Sequence, residues 1–168
     1  MVKKPIHLEI ERKYVLKRLP PAFKANCHKH LFIDQHYLFI DGIWQRFRIV
    51  TEAGKKGKKI VHTIKKRISA GIQEETERTI TEKAFNKIFL NKELTQRKFI
   101  KKERYIMKYK KLKFEVDVYS EIRIVTLEVE LSNLKQKIQF PPELDNTIIA
   151  DVTHVKGFSN LSMAENIL

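Results

Sequence analysis

Disulfides, flexible linkers and membrane-length apolar runs are all missing from this sequence. One cysteine among 168 residues, Cys27, excludes an internal disulfide and suits a structural thiol in a reducing compartment. Five glycines and five prolines exclude a collagen-like or linker-dominated chain. No apolar run approaches the roughly 20 residues that span a bilayer, so no membrane association is expected. The basic start Met1-Val2-Lys3-Lys4-Pro5 runs into no apolar stretch, so no signal peptide is expected and the location is read as cytoplasmic. The six histidines lack metal-ligand spacing; His28 and His30 stand two apart with no partner cluster, and all are read as surface or structural. Tyr109-Lys110-Lys111 has aromatic-basic character, but no RNA-binding signature accompanies it, and a solvated strand surface is expected there.

What is present is charge and alternation. Hydrophobic residues make up 42% and charged residues 32%, a globular composition richer in charge than the usual quarter. The length suits one domain over 1–168, and no composition break or internal repeat divides it. The 34 Lys and Arg against 20 Asp and Glu leave a net charge of +14. Such a chain attracts polyanions, and non-specific nucleic-acid binding in low salt is expected whatever the function. Oligomeric state is not legible; monomer and homodimer both fit.

Eight segments read as strands: His7 to Val15, Asp34 to Ile40, Ile43 to Thr51, Lys59 to Arg67, Gln73 to Ile80, Phe99 to Met107, Lys111 to Tyr119 and Ile122 to Leu131. Asp41-Gly42 is a two-residue hairpin turn, and Gly54 to Lys59 is a second, basic hairpin connection. Pro20-Pro21 and Pro141-Pro142 mark loops. Thr81 to Leu94 has helical spacing with Thr81 as N-cap; a short helix is expected after Ser132, and another over Ser159 to Leu168. The fold class is α+β, dominated by one large antiparallel sheet.

The alternation sorts charge by sign. Glu9 and Glu11, Glu75 and Glu77, Glu115 and Asp117, and Glu128 and Glu130 each share one strand face, because successive side chains point to opposite faces. Arg46 with Arg48, and Lys102 with Arg104, do the same; Lys13 shares the face of Glu11, and Lys65 that of Thr63. A solvated face normally mixes signs, because like-charged neighbours destabilise a sheet. Segregated carboxylates suit a hard divalent cation, and segregated Arg and Lys suit phosphate oxygens. One cavity lined by both would hold a metal–polyphosphate complex. That lining takes eight of the 20 acidic and six of the 34 basic residues, so it carries −2 and the remainder +16. Fourteen charges cannot enter a dry core, so the cavity must be wet, with apolar strand faces turned outward under the helices. Trp44 shares the parity of Arg46 and fits either the cavity mouth or ordinary packing.

These residues resemble the CYTH superfamily, the triphosphate tunnel metalloenzymes. His7-Leu8-Glu9-Ile10-Glu11-Arg12-Lys13 is similar to its E-x-E-x-K signature, Gln35-His36-Tyr37 to Q-x-Y, Arg46-Phe47-Arg48 to R-x-R and Thr63-Ile64-Lys65 to T-x-K. Glu75 and Glu77 resemble its next E-x-E, Lys102-Glu103-Arg104-Tyr105 its K-x-R-Y, Glu115-Val116-Asp117 its E-x-D, and Glu128-Val129-Glu130 its E-V-E. Asp151-Val152-Thr153 and Phe158-Ser159-Asn160 resemble its C-terminal segment. Two positions depart from the pattern: Lys66 follows Lys65 where glycine is common, and Gly157 precedes Phe158 where a basic residue is common. The resemblance implies an eight-stranded antiparallel β-barrel tunnel with helices outside and a C-terminal helix. It implies that Glu9, Glu11, Glu128 and Glu130 with Asp117 hold Mg²⁺ or Mn²⁺, and that Lys13, Arg46, Arg48, Lys65, Lys102 and Arg104 clamp phosphates. Glu9, Glu11 and Lys65 are the implied catalytic residues, and Glu75, Glu77 and Glu115 further lining. The implied activity is metal-dependent hydrolysis of tripolyphosphate or a related small triphosphate, such as ATP or thiamine triphosphate. The alternatives are ATP cyclisation in the same fold and a non-catalytic polyanion-binding module, with charges outward around an apolar interior.

Overall fold

The computed structural model describes residues 7–69 and 72–167. The basic start at Met1 to Pro5 and the last residue of the expected C-terminal helix, Leu168, lie outside the described residues. Strands β1 (His7–Leu16), β2 (Lys29–Ile40), β3 (Ile43–Glu52), β4 (Lys59–Ser69), β5 (Ile72–Ile80), β6 (Arg97–Tyr109), β7 (Leu112–Tyr119) and β8 (Val125–Leu131) form one antiparallel sheet in the order β5-β4-β3-β2-β6-β7-β8-β1. Pairing of His7–Ile10 with Ile72–Glu75 joins β1 back to β5 and closes the barrel. Closure removes free sheet edges, and eight strands leave an interior wide enough for one small ligand. A ninth strand, β9 (Ile148–Asp151), pairs with Tyr14–Leu16 of β1, beyond the reach of β5.

The turns follow from their residues. Asp41 and Gly42 both adopt positive φ, 51° and 79°, the backbone that a two-residue hairpin between twisted strands requires. The β6–β7 turn uses Lys110 and Lys111 in the same left-handed region, at φ 44° and 68°. Lys111 therefore belongs to the turn rather than to β7.

The core lies outside the barrel. Phe114, Val116, Leu127 and Val129 are fully buried on the outer face of β7 and β8, covered by helix α1 (Pro21–Asn26) through Phe23 and by Leu144. Leu38, Phe47 and Ile60 form a second cluster on the outer face of β2, β3 and β4, under Phe85 of helix α2 (Glu82–Leu90). Thr81 caps α2, its hydroxyl accepting from the Ala84 amide at 3.2 Å. Helix α3 (Asn160–Glu165) closes one end of the barrel, Met163 and Ala164 packing on Tyr37, Ile100 and Tyr119.

Several elements differ from the expectation. β2 starts at Lys29, five residues early, and β8 at Val125, three residues late. Pro21 opens α1, where its missing amide and fixed φ suit the first helical position. No helix follows Ser132: the Asn133 side chain accepts from the Lys135 amide and folds a turn instead. Helix α2 stops at Leu90, and a separate 3₁₀ turn covers Leu94–Gln96. Among the described residues no helix is long and apolar enough to cross a membrane.

Candidate active site

Strand parity carries all fourteen sorted charges to the inner face of the barrel, where twelve of them meet in two networks. The first spans β6, β7, β8 and β1. Asp117, fully buried, accepts from Lys102 Nζ at 2.6 Å and from Arg104 Nε and Nη2 at 2.6 and 2.7 Å. Arg104 also donates to Glu128 at 2.6 Å and binds Glu115, while Lys13 Nζ lies 3.0 Å from Glu128. Burial raises the Asp117 carboxyl, but Arg104 and Lys102 outweigh it and hold the group below its ordinary range. Glu128 is held well below its range in the same way by Lys13 and Arg104. Burial and the neighbouring Arg104 charge push Lys102 down to about 8.

The second network spans β3, β4, β5 and β1. Arg46 Nη2 donates to Glu75 at 3.1 Å and to Glu77 at 3.3 Å; Arg48 also binds Glu77, which accepts from the Thr63 hydroxyl at 2.9 Å. Lys65 Nζ bridges Glu9 at 2.5 Å and Glu75 at 3.0 Å. Glu75 and Glu77 diverge. Burial raises Glu75 to about 7, while Glu77 falls to about 2 because a hydrogen bond from Glu75, Arg48 and Thr63 outweigh its own burial. Two like charges on one strand face share the strain by letting one keep its proton.

Glu11 stands between the networks. Its Cα partner across β1–β8 is Glu130. Among the described residues it is the one sorted carboxylate with neither a hydrogen bond nor an ion pair. Burial and the charge of Glu128 push it up to about 7. On the basic side, Arg46 and Arg48 each keep a buried Nε–H with no partner. The interior therefore has unspent donors among its cations and, in Glu11, a carboxylate that Lys65 and Lys13 influence without pairing with it. An oxygen-only donor set suits a hard ion such as Mg²⁺ or Mn²⁺ in kind. In this arrangement no three such donors among the described residues converge into a ready-made metal cage, because the basic side chains hold most of the carboxylates.

Toward α3 the tunnel widens into a cavity of about 560 Å³, walled by Trp44, Tyr37, Arg67 and Phe158. Trp44 thus lines the cavity and also packs against the cluster beneath α3. The two departures from the motif pattern resolve differently. Lys66 pairs with Glu74 on the outer parity of β4 and β5, away from the tunnel. Lys156, one residue before Gly157, lines the wide cavity. The Tyr119 hydroxyl donates to Asn160 at 2.5 Å and fixes the start of α3 against β7. The Lys13 amide donates to Thr153 at 3.0 Å, tying β1 to the segment after β9. Sequence reasoning passed over Lys113, Thr126, Tyr119 and Arg67 in the interior. Lys113 was findable, since it stands two residues before Glu115 and so shares its face. The arrangement with charges outward around an apolar interior is not the one found.

No protein-family profile matches the chain, and no curated protein does. Solved structures do. NE1496, whose crystal structures describe it once as a hypothetical protein and once as an inorganic triphosphatase, superposes with TM-scores of 0.58 and 0.56 at 24% and 23% identity. The first comparison covers 95% of this chain and 99% of NE1496, the second 93% of each. The chain shares the closed antiparallel barrel fold of NE1496. A Bacillus halodurans protein described as a candidate adenylate cyclase shares it at TM-score 0.51 and 18% identity, over 77% of this chain and 83% of its own. So does a chain of the Schizosaccharomyces pombe Mediator head module, at TM-score 0.50 and 10% identity over 78% and 86%. These likenesses establish the fold; chemistry has to be argued from the site.

Proposed function

We propose that this chain is a divalent-metal-dependent triphosphatase acting on tripolyphosphate or a similar small triphosphate within the barrel. The observation that carries the reading is a set of unspent groups in one tunnel: buried Nε–H donors on Arg46 and Arg48, and a carboxylate, Glu11, with neither a hydrogen bond nor an ion pair among the described residues. A metal-bound phosphate chain satisfies both at once. Description of NE1496 as an inorganic triphosphatase supports the reaction class.

The roles follow the networks. Arg46, Arg48, Lys65, Lys13, Lys102 and Arg104 bind and orient the phosphate chain, with guanidinium forks matched to phosphate oxygens. Glu9, Glu11, Glu128 and Glu130 hold Mg²⁺ or Mn²⁺. Asp117, with both oxygens taken by Lys102 and Arg104, orients those two cations rather than meeting the ion directly. The ion, when bound, neutralises charge on the phosphate oxygens. A carboxylate of that set orients water for attack on the terminal phosphorus. The bond from that phosphorus to its bridging oxygen breaks, the rest of the phosphate chain leaves with the electron pair, and the water's proton passes to the carboxylate.

The test is phosphate release from tripolyphosphate with and without Mg²⁺ or Mn²⁺. Release is expected only with metal, and Glu11→Gln is expected to lower it at least about a hundredfold while the circular dichroism spectrum stays unchanged. Metal-independent release, or full activity of the variant, would overturn the assignment. ATP cyclisation is a second reading, favoured by one observation: the wide cavity beside the clamp presents Trp44 and Phe158, with room for a nucleoside. Cyclic AMP formed from ATP and Mn²⁺, with no phosphate release from tripolyphosphate, would select it.

A further inference from the structure

Lys113 belongs to none of the recognised motifs, yet it points into the acidic end of the tunnel. It lies on β7, two residues before Glu115, and its Nζ stands 2.9 Å from Glu115 and 3.6 Å from Glu130. The side chain is 42% exposed, which puts it at the tunnel mouth rather than in the buried clamp. A small cavity there is lined by Lys113 together with Glu9, Glu11, Glu115, Glu128 and Glu130. Register makes the arrangement specific. Glu130 lies across from Glu11 on β1, and β7 flanks β8 on its other side, with Glu115 across from Glu128. Two like charges face each other across β1 and β8, and an ammonium leans on one of them.

We infer that Lys113 is a resident counter-cation of the metal site. It holds the acidic end together when no ion is bound and sets how tightly an ion binds. The inference rests on the metal-dependent reading above. The physics is direct. Glu130 and Glu115 are partly neutralised by a tethered positive charge, so a divalent ion arriving there must displace the ammonium or bind beside it. Either way its affinity is lower than the carboxylates alone would give. The flexible four-carbon stem and partial exposure let Lys113 swing into water when it is displaced. The six clamp cations differ. They lie deeper, with side chains no more than 25% exposed, and Arg46 and Arg48 carry buried donors with no protein partner.

The test is Mn²⁺ binding, read from the free-ion signal in electron paramagnetic resonance, for the wild type, Lys113→Met and Lys113→Gln. Both variants are expected to bind Mn²⁺ about tenfold more tightly than the wild type. The same proteins are titrated calorimetrically with tripolyphosphate in EDTA, where both variants are expected to match the wild type within about threefold. Unchanged or weaker Mn²⁺ binding in both variants overturns the inference while leaving the metal site standing. A loss of metal-free tripolyphosphate affinity beyond tenfold also overturns it and assigns Lys113 to the phosphate clamp. Absence of Mn²⁺ binding by the folded wild type removes the metal reading and this inference with it.

Discussion

Asp117 concentrates the energetics of the tunnel in one side chain. It is fully buried and pairs with both Lys102 and Arg104, themselves buried. Such an arrangement adds little net stability when complete, because desolvation offsets attraction. Removing the carboxylate is another matter, since it strands the Lys102 ammonium in a tight interior and leaves Arg104 with Glu115 and Glu128 alone. Asp117→Ala is expected to destabilise the fold by about 3–5 kcal/mol, read from the urea midpoint. A loss below about 1 kcal/mol would mean that water or Glu128 takes over Lys102. The fourteen sorted residues were legible one by one because strand parity is local: Glu9 and Glu11 face the same way whatever the rest of the chain does. Lys113 was missed for lack of a motif, although its parity was equally plain. The pairing of Tyr119 with Asn160 had no local signal, since forty-one residues separate them.

At the scale of elements, the β6–β7 turn stands out. Lys110 and Lys111 both occupy left-handed backbone, where a side chain costs about 1–2 kcal/mol per residue and Asn-Gly is preferred. Replacing the pair by Asn-Gly is expected to stabilise the protein by roughly 1 kcal/mol, read from urea denaturation, with tripolyphosphate hydrolysis unchanged. A destabilised variant would show that the lysine side chains, and not the backbone, hold the turn. The legible elements were those with long alternation. Helix α1 is six residues long, too short for a 3.6-residue period to declare itself, and Pro20-Pro21 reads equally well as a loop. β9 has four residues and exists because β1 runs on past the end of β5 and offers it an edge.

For the whole molecule, the sequestered carboxylates make stability depend on pH. Glu11 and Glu75 titrate near 7 in the folded chain, above the ordinary 4.5, chiefly because they are buried. Between pH 5 and 7 the native state therefore holds protons that the unfolded chain has released, and stability falls as pH rises. The lowered Glu77 acts in the opposite sense, but only as pH falls from 4.5 toward 2, outside that window. In EDTA, the unfolding free energy is expected to drop by on the order of 1–3 kcal/mol from pH 5.5 to 8, and Glu11→Gln to flatten the slope. An identical slope in the variant would remove Glu11 as a source.

The chain by itself determined an antiparallel β-rich fold, the outward apolar face, and which charges would share the inner one. Those follow from a period of two and the cost of burying bare charge. Only the tertiary structure decided which carboxylate meets which cation. Closing β1 onto β5 brings Glu9 to Lys65, 56 residues away, and stagger across β1 and β8 sets Glu11 against Glu130. Parity is a property of neighbours along the chain. Partnership depends on barrel closure and register, which are set by every strand at once.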